Sequence, residues 1–271
     1  MFTLILAEFG CFFSNFVSNM IDLSMYMQNE WSWITLFVMA LFVGMSKTGV
    51  QGLAILTVPL LAMAFGAKPS TGLMLPVLCM ADLIGVSYYK RKAEWKYIMR
   101  LLPTAIVGFF LAIWVDHLIP ATEFKHLMGA CLALVLAVML WSQWRGKENV
   151  LVDYWWYSSL FGLLGGFTTM IGNAAGPVMA IYLLSIRIPK LAFVGTNAWF
   201  FLCVNFLKLP LQVFAWNNIN LTTLVLDACT IPFVLIGAWL GIRLVKLLPE
   251  KEFRIFTTIV TIISILAMLL V

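Results

Sequence analysis

The chain has 271 residues, of which 63% are hydrophobic and 11% are charged, and its formal net charge is +5. Because soluble domains carry about 25% charged residues, this composition excludes a soluble enzyme or binding domain. Apolar stretches near the 20-residue length that crosses a bilayer recur from Trp31 to the C-terminus. We therefore predict an all-α polytopic protein of the cell inner or plasma membrane. The positive residues gather in short loops, as the positive-inside rule expects, so the net charge requires no nucleic-acid partner.

The N-terminal segment, residues 1–30, does not read as an ordinary span. It is apolar and aromatic but contains Glu8, Ser14 and Asn15. It also lacks the basic start and small-residue cleavage site of a signal peptide. We interpret it as an interfacial or peripheral segment, with an additional span as the alternative.

Breaks at glycine, proline and charge clusters predict about ten transmembrane segments in two sets of five. The first repeat covers 31–143, a cytoplasmic linker covers 144–153, and the second repeat covers 154–271. The first two segments of each repeat are short or broken. The predicted segments are 31–46, 50–66, 71–89, 97–117, 121–143, 155–171, 174–186, 191–215, 220–246 and 252–270.

The two sets are related by an internal repeat. Landmarks recur at a displacement of 129 residues late in each set and of about 123 residues earlier in it. The matched pairs include Pro103 with Pro232, Gly108 with Gly237, Gly49 with Gly172, and Asp82 with Asn205.

Loop charges indicate how the repeats are oriented. The loop from Lys90 to Arg100 is strongly basic, whereas its counterpart from Trp216 to Asn220 is uncharged. The bias reverses in the next pair of loops, where 243–254 is the positive member. If basic loops are cytoplasmic, equivalent loops lie on opposite sides and the repeats are inverted. Four segments per half would instead make the repeats parallel.

Glycine-rich polar breaks interrupt the apolar pattern at corresponding places, Gly44–Gly52 and Gly165–Pro177. Such paired breaks indicate a transporter's binding site near the bilayer midplane. We expect half-helices capped by Thr48 or Gly49 and by Asn173, whose free N–H groups would bind a small anion. The alternative is that the glycines serve helix packing and that Lys47 extends to the membrane surface. The predicted substrate-binding residues are Ser46, Lys47, Thr48, Gly49, Gln51, Gly52, Thr168, Thr169, Gly172, Asn173 and Gly176.

A carboxylate in the middle of a predicted span, Asp82, is the candidate for coupling. Its repeat mate is Asn205, and Lys208 follows one turn later on the same helix face. Asp82 either relays a proton or acts as a static partner of Lys47 or Lys208. The sequence has no cofactor motif, metal-ligand cluster or catalytic constellation, so we do not predict an enzyme.

The half-repeat pattern resembles the sulfite exporter TauE/SafE family of membrane permeases. The resemblance is carried by the broken first segment, the Pro-x4-Gly fourth helix and the Leu-Pro-x-x-Glu-Phe entry to the fifth. It covers residues 31–271, and the long N-terminal extension is atypical. The resemblance implies a secondary transporter that exports sulfite, an organosulfonate or a related anion, coupled to protons, with a homodimer as one arrangement. A passive anion channel is the alternative. Lys47 has no equivalent in the second break.

Overall fold

A computed structural model of the chain describes residues 30–50, 53–118, 120, 123 and 154–270, and its elements are helical. The predicted N-terminal segment up to residue 29, the predicted fifth span except residue 123, and the linker lie outside the described residues, as do Gln51 and Gly52. The helices are α1 (Glu30–Thr48), α2 (Thr57–Phe65, preceded by a 3₁₀ turn at Leu53–Leu56), α3 (Ala67–Tyr89), α4 (Trp95–Leu118), α5 (Trp155–Gly172), α6 (Ala175–Ser185), α7 (Lys190–Pro210, continued by a π-helix at Leu211–Ala215), α8 (Leu221–Leu247) and α9 (Glu250–Leu270).

Helix boundaries follow the sequence prediction to within a few residues. The predicted fourth span, 97–117, is the helix Trp95–Leu118, and the predicted ninth, 220–246, is Leu221–Leu247. The largest shift is at the third span, which begins at Ala67 rather than at residue 71. Glycine, proline and charge clusters are therefore reliable markers of helix ends in this chain.

Polar and apolar side chains are distributed as in a membrane protein. Large apolar residues such as Phe110, Trp114 and Trp239 are exposed, whereas Asp82 and Lys208 are fully buried. Five described helices are long and apolar enough to cross a membrane: Trp31–Thr48, Pro69–Tyr89, Trp95–Leu118, Lys190–Ala215 and Leu221–Leu247. The chain is a multi-pass membrane protein.

Two parallel helix pairs, packed through glycine, make the most extensive contacts among the described helices. In the first pair, Leu41 and Met45 of α1 lie against Gly237 of α8, and Thr48 lies against Gly241, so residue numbers rise together. A Cβ on Gly237 would collide with the α1 backbone. The helices approach this closely because glycine has no side chain.

The second pair, α4 with α5, repeats this arrangement. Leu101 and Thr104 lie against Gly162, and Ala105 lies against Gly166, so these helices are also parallel. The first helix of each predicted repeat thus packs in parallel on the fourth helix of the other repeat.

The third helices of the predicted repeats, α3 and α7, cross in opposite directions. Asp82 contacts Asn205, Gly85 lies near Ala198, and the end of α3 at Tyr89 lies near Gly195. Besides this contact with each other, α3 packs on α1 and α8, and α7 packs on α4, so these helices can be divided into two sets of three. We name them group A (α1, α3 and α8) and group B (α4, α5 and α7).

The basic loops meet at one end of the bundle. Lys190 Nζ donates to the carbonyl oxygens of Val245 and Leu248, at 3.0 and 2.6 Å. The backbone N–H of Glu94, in the loop after α3, donates to Thr196 Oγ1 at 2.9 Å. The uncharged loop at 216–220 lies at the other end of α7, beside Gly72 at the start of α3.

Candidate functional site

A buried ion pair lies where α1 and α3 meet α7. Lys47 Nζ is 3.0 Å from Asp82 Oδ1 and 3.3 Å from Oδ2, and neither side chain is more than 6% exposed. Asn205 Nδ2 donates to Asp82 Oδ2 at 2.6 Å. The Phe201 ring covers the ammonium, with its centre 3.8 Å from Lys47 Nζ. Lys47 therefore extends into the protein interior rather than to the membrane surface.

A second buried lysine, Lys208, is held by oxygen atoms at the end of α5. Its Nζ donates to the Thr169 carbonyl oxygen at 2.9 Å, lies 3.3 Å from Thr169 Oγ1, and donates to Asn173 Oδ1. All three ammonium protons thus have an acceptor. Within the described residues no carboxylate forms an ion pair with Lys208, so the atoms in contact with its ammonium are neutral oxygen acceptors.

The second polar break has a conformation that the sequence prediction missed. The prediction that Asn173 begins α6 is wrong. Asn173 instead ends α5, with its backbone in the left-handed region at φ 55° and ψ 26°. Its N–H donates to the Thr169 carbonyl oxygen at 3.0 Å, and that of Ala174 donates to Thr168 at 3.2 Å. These bonds satisfy the last carbonyls of α5 and leave the Asn173 side chain free to bind Lys208.

The first polar break also differs from its prediction. Thr48 is the last residue of α1 rather than the cap of the next helix. Its hydroxyl lies 2.9 Å from the carbonyl oxygens of both Gly44 and Ala238, so it supports the packing of α1 on α8. Gly49 lies against the backbone of Gly241 in the same interface. For Gly49, the packing interpretation of the glycines is therefore the one that the structure supports.

A small cavity lies between the two polar breaks. The volume open to the centre of a water-sized sphere is about 20 Å³, which is room for a water molecule and little more. The first turns of the 3₁₀ segment and of α6 contribute Ala54 and Gly176 to its wall. The lining residues are Ser46, Lys47, Ala54, Leu78, Thr169, Asn173, Gly176, Asn197, Phe201 and Asn205.

Six of the predicted site residues line this cavity: Ser46, Lys47, Thr169, Asn173, Gly176 and Asn205. Asp82 and Lys208 lie behind the wall and bind residues that line it. Thr168 bonds instead to carbonyl oxygens of its own helix. Gly172 is buried as the last residue of α5.

The sequence prediction missed two lining residues of α7, Asn197 and Phe201. The signal for them was present, because positions 197, 201, 205 and 208 fall on one face of a helix. Only the last two had been recognised as a pair. Ala54 and Leu78 are apolar and carry no comparable signal.

Polar side chains continue from the cavity toward the uncharged loop. Asn173 Nδ2 donates to the Thr71 carbonyl oxygen at 3.1 Å, and Gln212 Nε2 donates to Thr71 Oγ1 at 3.4 Å. Asn218 Nδ2 then donates to Gln212 Oε1 at 3.1 Å. Gln212 lies in the π-helix after α7, an irregularity that is frequent at functional sites.

The electrostatics of the site favour an anion. Two buried lysines are opposed by one buried carboxylate, Asp82, which leaves a formal charge of +1. The N-terminus of α6, where Gly176 lines the cavity, adds the positive end of a helix dipole. The site therefore carries an excess positive charge that a small negative ion would neutralise.

A multi-pass helical bundle with a buried, positively charged cavity has the features that a membrane transport protein for anions requires. The family model of the sulfite exporter TauE/SafE matches residues 13–268, nearly the whole chain. The chain therefore belongs to the sulfite exporter TauE/SafE family, whose members are membrane permeases for sulfur anions. Neither a curated protein nor a solved structure matches the chain.

Proposed function

We propose that this protein is a secondary active transporter that exports a small sulfur-containing anion, such as sulfite or an organosulfonate, by alternating access. The observation that carries the proposal is the cavity with excess positive charge at the α3–α7 contact. Ser46, Thr169 and Asn173 are the proposed hydrogen-bonding groups, and Lys47 is the proposed ion-pairing group. An anion in the cavity would neutralise the charge that the protein leaves unbalanced.

Asp82 is the proposed coupling residue. Its carboxylate and the transported anion would compete for the same ammonium, that of Lys47. Protonation of Asp82 would remove the competitor and release Lys47 to the anion. Anion binding and proton binding would thus be linked through one side chain.

We further propose that the chain forms two inverted five-helix repeats. The parallel packing of α1 on α8 and of α4 on α5 supports this arrangement, because helix direction alternates along each half. If each half had four spans, the repeats would be parallel, and both of these helix pairs would then be antiparallel. The meeting of the basic loops at one end supports a cytoplasmic location for that end.

Transport would involve motion of group A against group B. The most extensive contacts, α1 with α8 and α4 with α5, lie within the groups, and the cavity lies at the contact between the groups, where α3 meets α7. Opening this contact alternately at its two ends would expose the site to each side of the membrane.

Flux in proteoliposomes tests the proposed function. We expect sulfite efflux to change when a pH gradient is imposed at a fixed sulfite gradient. Lys47→Met should abolish this flux, and Lys90→Met, at an exposed position in the basic loop, should not. An ohmic anion current that is independent of the pH gradient would identify a passive channel instead.

Cysteine labelling tests the topology. In a background without native cysteines, Arg91→Cys and Ala215→Cys place single thiols at exposed positions near opposite ends of the bundle. A membrane-impermeant reagent should label Ala215→Cys in intact cells and Arg91→Cys only after lysis. Labelling of both in intact cells would contradict the orientation.

A further inference from the structure

A patch of aromatic and basic side chains lies on the outer surface of the bundle, at the end where the basic loops meet. It is formed near the ends of α3 and α8, which pack on each other, by Tyr88, Trp239, Arg243 and Lys246. We call it the aromatic–basic patch. All four side chains are exposed. Both helices are long and apolar enough to cross a membrane, so this surface faces lipid near the headgroups, where tryptophan and tyrosine are enriched.

Each cation of the patch lies over an aromatic ring. The guanidinium carbon of Arg243 is 4.1 Å from the centre of the Trp239 ring, on the same helix. Lys246 Nζ is 5.3 Å from the centre of the Tyr88 ring, on the neighbouring helix. Both distances are within the range of cation–π contacts. Because Arg243 and Lys246 are three residues apart on α8, their charges lie on one face of that helix.

These two cations have no carboxylate partner among the described residues. Other basic side chains at the same end are bound by protein groups. Lys190 donates to the last carbonyl oxygens of α8, and Arg254 pairs with Glu250. The charges of Arg243 and Lys246 are therefore available to a negatively charged ligand that approaches from the membrane.

We propose that the aromatic–basic patch binds the phosphate headgroup of an anionic phospholipid, which bridges α3 and α8. The planar Arg243 guanidinium binds phosphate oxygens through two N–H groups, and Lys246 supplies the second positive charge. The acyl chains lie along the exposed apolar surface of α8, at Leu235 and Ile236. A zwitterionic lipid fits less well, because its own ammonium group cancels the phosphate charge. The proposal does not depend on which anion the protein transports.

Thermal unfolding of the purified full-length protein in a neutral detergent tests this assignment with three additives. They are phosphatidylglycerol, which is anionic, phosphatidylcholine, which is zwitterionic, and inorganic phosphate, which has no acyl chains. A ligand that binds the folded protein at about a hundred times its Kd should raise the melting temperature by roughly 5–10 °C. We expect this shift with phosphatidylglycerol and a much smaller one with phosphatidylcholine. Native mass spectrometry should show retained phosphatidylglycerol.

Two double variants locate the lipid. Arg243→Gln/Lys246→Gln removes both charges of the patch and should abolish most of the shift that phosphatidylglycerol causes. Lys92→Gln/Lys251→Gln is the matched control, because it removes two exposed charges near the same end but outside the patch. It should retain the shift. All four positions are exposed, so melting temperatures without lipid should stay close to that of the parent protein. Arg243→Gln alone replaces the first double variant if that does not fold, and it should lose about half of the shift.

Three results would overturn the site. Equal shifts with phosphatidylglycerol and phosphatidylcholine would show that the protein responds to any phospholipid. Equal losses in the two double variants would show that only the total positive charge of this end matters. A shift with inorganic phosphate that disappears in Arg243→Gln/Lys246→Gln would identify a soluble anion, rather than a lipid, as the ligand of the patch.

Discussion

The ion pair between Lys47 and Asp82 leads to a prediction for stability. Asp82→Asn keeps the shape of the side chain but leaves the Lys47 ammonium buried without its counter-ion. Removing one partner of a buried pair costs about 3–5 kcal/mol. For a chain of this size, a loss of about 3 kcal/mol lowers the melting temperature by roughly 6–12 °C. The melting temperature of the purified protein in detergent is the measurement.

Two further variants make the result interpretable. Asp227→Asn is the matched control: Asp227 is 1% exposed on α8, and both of its oxygens lack a hydrogen-bond donor within the described residues. No cation is left unpaired there, so we expect little loss of stability. The double variant Lys47→Met/Asp82→Asn should recover much of the loss, because neither charge remains. If Asp227→Asn is as harmful as Asp82→Asn, or if the double variant only adds the two single effects, the ion pair is not what stabilises this region.

Three other predictions follow from packing, backbone conformation and charge. Gly237→Val should destabilise the protein by several kcal/mol or prevent folding, because the valine side chain collides with α1. The neighbouring variant Ile236→Val, at an exposed position, should change stability by less than about 0.5 kcal/mol. Yield and melting temperature measure both effects. Asn173→Ala and Asn173→Gly both lose the bond to Lys208, but only alanine resists the positive φ, so the glycine variant should be more stable by about 1 kcal/mol in thermal unfolding. Asp82→Asn raises the formal charge of the site by one, so titration calorimetry should show sulfate binding improved relative to hydrogen sulfite; an unchanged ratio would contradict the charge argument.

Much of the fold could be predicted from the helix-ending residues and the internal repeat of the sequence. Glycine, proline and charge clusters end apolar runs, so they locate helix ends. The repeat displacement matched Asp82 with Asn205, 123 residues further along the chain, and in the structure these two side chains are in contact. In the proposed inverted arrangement, a pseudo-twofold axis would bring equivalent positions of two crossing helices face to face, so repeat mates at that crossing would touch.

The remainder of the site could not be predicted, for physical reasons. Asparagine is favoured both at helix N-caps and in the left-handed conformation that ends helices, so Asn173 had two local solutions. In the structure, Asn173 has the left-handed conformation and its side chain contacts Lys208. Thr48 similarly had a local capping role available, but the close approach of α8 offers its hydroxyl a carbonyl oxygen at Ala238. The local sequence pattern does not show which distant residue will pack against a position, and that residue determines the conformation.

The arrangement of the polar contacts determines the energetic cost of the proposed motion of group A against group B. Lys47 and Asp82 both belong to group A, while Lys208 and its partners at Thr169 and Asn173 belong to group B or directly follow it. When the groups separate, Lys47 therefore keeps its ion-pair partner and Lys208 keeps its hydrogen-bond acceptors. Loss of the partner of a buried ion pair would cost about 3–5 kcal/mol. The cavity contacts that cross between the groups include the hydrogen bond from Asn205 to Asp82, the one from Asn173 to the Thr71 carbonyl oxygen, and the contact of the Lys47 ammonium with the Phe201 ring. Each such bond contributes about 1–3 kcal/mol, and a bound anion that contacts both groups can offset their loss.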